Sequence, residues 1–271
     1  GSREEGVQRG NMNLKKYLSF TKIGLREGFQ YRSDALSGIG ATMISLILFY
    51  FIWRAIAASG ELAQPFSTII AYVALARVID NATSANLESW IGDRVRKGTI
   101  VNELKKPVSL RFQLYFYQLG KSSFKMIVRG IPALIVGILF LNVGIPGVQS
   151  GFYFLISLFL TLNLAIFLSY TTSMIVFWTK VGWSLRMTRT MVAGLFSGAM
   201  IPLYLVPDNV RAVFNLTPFP SMVDAPISIY QGTAENVLNV FGVQIMWIVL
   251  LGITSELLWR KAKKNLTVQG G

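Results

Sequence analysis

The sequence contains no cysteine and no histidine. Those two absences exclude disulfides, thiol nucleophiles, zinc sites with Cys or His ligands, and imidazole acid–base chemistry. They say little about compartment, because a helical bundle needs no disulfide. Charge is also scarce, at 14% of residues, where a soluble domain carries about a quarter. Acids are the scarcer sign, with 13 Asp and Glu against 26 Lys and Arg. No HExxH, GxSxG or GxxxxGK[ST] sequence occurs, so no zincin, nucleophile elbow or phosphate loop is expected. Asp80 is the one acid well inside an apolar run, and Glu256 lies near the end of another. Paired carboxylates for a proton or sodium relay are therefore lacking. The chain is expected to conduct passively, to scaffold, or to be driven by another subunit.

What the sequence has in abundance is apolar length. Hydrophobic residues make up 52% of its 271 positions, gathered in blocks of the roughly 20 residues that cross a bilayer. The runs are continuous and do not alternate over about ten residues as barrel strands do. Lipid leaves an unclosed sheet with unpaired backbone, so the expected fold is an all-α membrane protein. Six transmembrane helices are expected at about 35–57, 66–87, 126–143, 151–178, 187–206 and 237–259. The net charge of +13 would point to nucleic acid in a soluble protein. Here the basic residues cluster in short loops beside apolar runs, which points to lipid headgroups and not to nucleic acid.

In chain order, residues 1–11 read as a tag or disordered tail and 12–271 as a single domain. Residues 14–32 form an amphipathic helix, with Leu14, Tyr17, Leu18, Thr21, Leu25 and Phe29 on one stripe. It is expected in the interface plane, as a plain anchor or as a lever toward a soluble partner. Arg77 and Asp80, three residues apart in the second run, read either as a structural ion pair or as the lining of a substrate path or subunit interface. Residues 88–111 are a polar interruption with six Lys and Arg and three acids, expected to project into water. Lys121, Lys125 and Arg129 are expected to snorkel toward headgroups, and Pro132 to kink the third span. Thr171, Thr172 and Ser173 read as a helix-packing patch. Residues 207–233 carry Pro207, Pro218, Pro220 and Pro226 and read as a short re-entrant segment before the last span.

Charge asymmetry orients the chain. One side would hold eighteen Lys and Arg, in the segments 12–32, 94–111, 180–189 and 260–264, against Arg211 alone on the other. That places both termini and the 88–111 loop in the cytoplasm of a multi-pass cell-membrane protein.

Two stretches add a resemblance. GTIVNELKKPVS, Gly98–Ser109, resembles the segment after the second span in permeases of type-2 ATP-binding-cassette (ABC) exporters. There a Gly is followed by a short apolar run and a Pro–apolar–Ser ending. SGAMIPLYLVPDNVRAVFNLTPFPSMVDAPISIYQG, Ser197–Gly232, resembles that family's proline-broken region between spans five and six, with Gly198, Pro202, Pro207, Pro218, Phe219, Pro226 and Gly232 at the matching places. The Arg77 and Asp80 pair departs from the family pattern. The resemblance is to small six-span permeases that work as identical or related pairs. It implies an ATP-driven exporter whose separate ATPase subunits carry ATP and Mg, with no cofactor and no enzymatic site on this chain. It also implies that 88–111 holds a coupling helix, with Arg94, Arg96, Lys97, Gly98, Thr99, Glu103 and Pro107 meeting the ATPase. Pro202, Pro207, Pro218, Phe219 and Pro226 would form an outer gate. The competing classes are an ion-coupled transporter or channel, which would want more intramembrane acids, and a membrane-embedded lipid transferase, which would want a His, Asp or Glu cluster. The transported substrate is not legible in the sequence.

Overall fold

A computed structural model describes residues 17–30, 32–60 and 64–266. The tail at 1–11 and the start of the amphipathic helix at 14–16 lie outside them. All regular structure among the described residues is helical.

Helix α1 (17–30) packs against α6 (Leu110–Lys125) at backbone contact. A Cβ on Gly24 would collide with the Tyr117 carbonyl oxygen, one on Gly120 with that of Thr21, and one on Gly28 with the Phe124 ring. Rings line the seam, with Tyr17 stacked on Phe116 at 5.1 Å and Phe29 edge-on to Phe124 at 4.7 Å. Glu27 accepts from the Tyr117 hydroxyl and from Lys121 Nζ, the latter at 3.0 Å. Burial alone would raise the Glu27 carboxyl. The hydrogen bonds from Tyr117 and Lys121, with the charges of Lys121 and Arg94, outweigh burial and hold it below its usual value. A lowered acid pKa contributes stability above the unfolded value of 4.5, and that contribution is lost as pH falls below it. Acidification through this window is expected to release α1 from α6 in wild type, read as faster amide exchange over 17–30. Glu27→Gln should exchange fast already at neutral pH and lose the pH dependence.

Helix α2 (Arg32–Ala58) is apolar all round and keeps Leu36, Ile44, Ile47 and Phe51 exposed, as lipid-facing residues would be. α3 (Phe66–Thr83) is the opposite case. Nearly every residue from Ile69 to Ile79 is buried, and Ala71, Ala74 and Ala76 let neighbouring backbones approach closely. α4 (Leu87–Arg96) and α5 (Ile100–Leu104) follow.

From Leu110 the chain is helical as far as Phe140, through α6, a π-helical turn at Met126–Gly130, and α7 (Ile131–Phe140). The helix that holds the expected third span, 126–143, thus begins earlier, at Leu110, and ends at Phe140. Pro132 has no N–H to donate and its ring crowds the preceding turn, and the widened π turn just before it absorbs that mismatch. The three cations on this helix turn inward instead of snorkelling. Lys121 meets Glu27, Lys125 Nζ bonds the Ser84 carbonyl at 3.0 Å just beyond α3, and the Arg129 guanidinium lies against Gly38 of α2. A cation there also complements the α3 dipole.

The scaffold of the bundle is α8 (Val148–Thr179), 32 residues long and so about 48 Å, which exceeds a hydrocarbon core of about 30 Å. α4, α9 (Gly182–Phe196), α11 (Asp224–Gln231) and α12 (Val237–Leu266) all pack on it. α10 (Asp208–Asn215) lies between α9 and α11 in sequence and contributes no fully buried residue. The core has one large cluster around α3, α7, α8 and α11, and a second one around α4, α6, α8 and α12.

Four helical runs among the described residues are long and apolar enough to cross a membrane: Leu36–Ala58, Leu110–Phe140, Val148–Thr179 and Val237–Lys264. α3 and α9 are not among them. Arg77, Asp80 and Asn81 interrupt the apolar character of α3. α9 begins earlier than the expected 187 and stops at Phe196, 15 residues in all, and Gly198 at φ +86° turns the chain away. A Cβ there would also collide with the Tyr72 hydroxyl, so both backbone and space demand glycine.

Candidate functional site

The 88–111 interruption folds as two short helices with a buried root and an exposed tip. Gly98 at φ +70° makes the turn between α4 and α5. Open space surrounds its Cβ position, so the demand for glycine there is purely conformational. At the far end Pro107 is exposed, and Ser109 precedes the first residue of α6.

At the root, Leu87, Glu88, Ile91 and Gly92 are buried. Glu88 departs from the expectation that this stretch faces water, since it is fully buried (0% exposed). Its carboxylate accepts from Ser169 Oγ at 2.7 Å and Thr172 Oγ1 at 2.5 Å on α8, and from Arg189 Nε at 2.5 Å on α9. Arg189 also donates to the Ala85 carbonyl at 2.8 Å, and Ser169 Oγ accepts from the Leu87 amide at 3.1 Å. Three donors on one carboxylate offset the cost of burying it. Beside this pair α4 meets the start of α9 directly. A Cβ on Gly92 would lie 2.8 Å from the Gly182 Cα, and one on Gly182 would strike the Glu88 carbonyl. α4 is thus clamped to α8 and α9 together.

Toward the tip the side chains divide in two. Arg94 lies over the Trp90 ring at 3.5 Å and approaches Glu103 at 3.5 Å, while Glu103 takes a further bond from Lys106 at 2.6 Å. Gln113 Nε2 donates to the Glu103 carbonyl at 3.0 Å. Arg94 and Glu103 therefore hold α4, α5 and α6 in one arrangement. Arg96, Lys97, Gly98, Thr99 and Pro107 are exposed, and with them Val101 (48%) and Leu104 (37%). The result is a basic tip with two apolar side chains on α5 facing outward.

The other sequence-derived residues are placed as follows. Arg77 Nη1 is 3.9 Å from Asp80, which is 58% exposed. The firmer bond of Arg77 runs from Nη2 to the Ala199 carbonyl at 2.7 Å, with the guanidinium over the Phe49 ring at 5.1 Å. Arg77 thus ties α3 to the chain following α9. Pro202 and Pro226 are buried, Pro218 and Phe219 half-buried, and Pro207 exposed at the start of α10. Phe219 packs on Phe196 at 6.0 Å.

Sequence reasoning passed over Gln244. It is fully buried and donates to Thr161 Oγ1 and to the Ser221 carbonyl, each at 3.0 Å, while Ser157 Oγ donates to its amide oxygen at 3.1 Å. This network joins α8 and α12 to the turn at Pro220–Met222 and fixes the proline-broken segment to the membrane helices. A lone Gln in an apolar run was the available signal. Arg189, Ser169 and Thr172 gave none beyond a basic turn and a small polar patch.

Long apolar helices, a buried core helix carrying few charges, and a polar elbow rooted between helices define a multi-pass membrane protein. The family profile described as "ABC-2 family transporter protein" matches residues 39–270. The chain belongs to that family and is a membrane permease of an ABC transporter. No curated protein and no solved structure matches it.

Proposed function

We propose that the chain is the transmembrane subunit of an ATP-driven exporter, and that the α4–α5 elbow docks on a separate ATPase subunit. The observation that carries the reading is the division of that elbow. Its tip offers Val101, Leu104, Arg96 and Lys97 to solvent, while its root is held to α8 and α9 by Glu88, Arg189 and the Gly92–Gly182 contact. A push on such a tip moves two membrane helices as one body, which is what switching a path between two sides needs. ATP and Mg reside on the ATPase, and this chain carries no nucleotide site of its own.

The path forms between two permeases, identical or related. Six passes make the domain, with α3 shielded by other helices and α9 the short, more exposed one. Shielding explains why α3 tolerates Arg77, since a charge facing the bundle interior costs less than one facing lipid. The excess of Lys and Arg at the elbow and at both terminal helices supports termini and elbow in the cytoplasm of a cell-membrane protein.

The test is Val101→Glu with Leu104→Glu, both exposed and so neutral for folding. Association with the cognate ATPase in detergent is expected to weaken about tenfold or more, as loss of two apolar contacts at an interface centre would give. ATP turnover of the reconstituted complex should fall with it. Unchanged association and turnover in that double variant, with Arg96→Glu and Lys97→Glu also silent, would sink the coupling reading.

A further inference from the structure

At the end of the bundle opposite the elbow, a cleft of about 360 Å³ opens between α3, the Leu203–Leu205 turn, α10 and α11. The coupling reading makes no use of it. Asp224 reaches it from the first turn of α11. Its Oδ1 accepts from the Tyr72 hydroxyl at 2.9 Å, and that is its one side-chain partner among the described residues. A single neutral donor is poor compensation for a half-buried carboxylate. Tyr72 and Tyr204 stand edge to face at 5.7 Å, and the enclosed Tyr204 hydroxyl has no hydrogen-bond partner among the described residues. Thr68 and Gln231 add neutral oxygen acceptors. Arg211 stands at the rim, where its guanidinium is paired with Asp208 and attracts Asp224 from farther off. Asp208 and Asp224 against the one arginine leave a net negative charge at the cleft, beside two aromatic rings.

We infer that this cleft binds a protonated amine, seated on Asp224 beside the Tyr72 and Tyr204 rings. Carboxylate and tyrosine are the groups that recognise an ammonium, by a charge-assisted hydrogen bond and by the ring faces. The volume suits a headgroup-sized ligand, at the small end of ligand pockets. The amine comes either from a free small molecule or from an ethanolamine-type lipid headgroup, since the chemistry is shared. In the orientation proposed above the cleft lies on the outer side. Only that sidedness rests on the proposed function, because binding needs neither ATPase nor transport.

Binding is measured on the isolated full chain in a maltoside detergent, from tryptophan-detected unfolding against ethanolamine, glycerophosphoethanolamine, choline and inorganic phosphate. A saturable rise in Tm with ethanolamine and glycerophosphoethanolamine is expected, a weaker one with choline, which has no N–H to give the carboxylate, and none with phosphate. Asp224→Asn should weaken the effect about tenfold or more, the worth of a charge-assisted hydrogen bond. Arg211→Gln, a change at the rim, should tighten amine binding by about twofold, as removal of a partly exposed like charge would. Should Asp224→Asn fail to fold, the Arg211→Gln result decides alone. Nanodiscs separate the sources: protection by phosphatidylethanolamine over phosphatidylcholine that free ethanolamine does not add to identifies the lipid, and protection by free ethanolamine regardless of lipid identifies the small molecule. No saturable shift with any amine, a shift unchanged in Asp224→Asn, or weaker amine binding in Arg211→Gln overturns the inference. ATPase association intact alongside any of those results leaves the coupling reading standing.

Discussion

Glu88→Ala is expected to destabilise the protein by about 3–5 kcal/mol, because it leaves the Arg189 guanidinium buried without its carboxylate. Arg189 is only 9% exposed, so water cannot take the carboxylate's place without opening the contact between α4, α8 and α9. Ser169 would lose its acceptor as well, which adds the cost of an unmade bond, whereas Thr172 keeps the Leu168 carbonyl at 3.1 Å. Removing both charges is a different matter. Glu88→Leu with Arg189→Met replaces the pair by apolar groups and is expected to recover most of the loss. Thermal unfolding of the purified chain, followed as a double-mutant cycle, measures the coupling between the two sites. A Glu88→Ala protein that melts with wild type would show that the pair does not hold α4. If the elbow transmits force, the double apolar variant should fold normally and keep ATP coupling, since the clamp survives as packing.

Gly182→Ala is expected to be the more damaging of two otherwise identical substitutions. Its new methyl would meet the Glu88 carbonyl carbon and oxygen and the Ser89 Cα. These are backbone atoms, which cannot swing aside as a flexible side-chain end can. Overpacking of this kind costs about 1–3 kcal/mol, and more where backbone is pinned on both sides. Gly242→Ala is the control. Gly242 is also helical, but nothing lies within 4 Å of its Cβ position, so the change should be neutral or slightly stabilising, because Ala favours helix over Gly. Comparison of the two melting curves separates helix propensity from helix approach. Equal effects would contradict the direct contact between α4 and α9.

Much of the architecture was legible in the sequence. Apolar runs near Ala35, Gly151 and Val237 are governed by bilayer thickness and backbone satisfaction, which act on each segment alone. The coarse layout of the elbow was legible for the same reason. Gly98, Pro107 and a run of charges mark a turn whatever surrounds them. The helix of the third span starts earlier than expected, at Leu110, because its aromatic first half carries Lys121 and Lys125 and reads as too polar to join an apolar run. Those amines are satisfied by Glu27 and by Ser84, partners 94 and 41 residues away that no local window contains.

By itself, then, the sequence determined that this is a helical membrane protein with a polar elbow, since hydropathy, charge asymmetry and turn residues act locally. Tertiary structure alone decided which charges face water. Glu88 and Asp93 lie five residues apart on one short helix, yet Glu88 is fully buried between Arg189, Ser169 and Thr172 while Asp93 is exposed. A carboxylate belongs inside only where donors from other elements converge on it, and that convergence exists only once α4, α8 and α9 have packed.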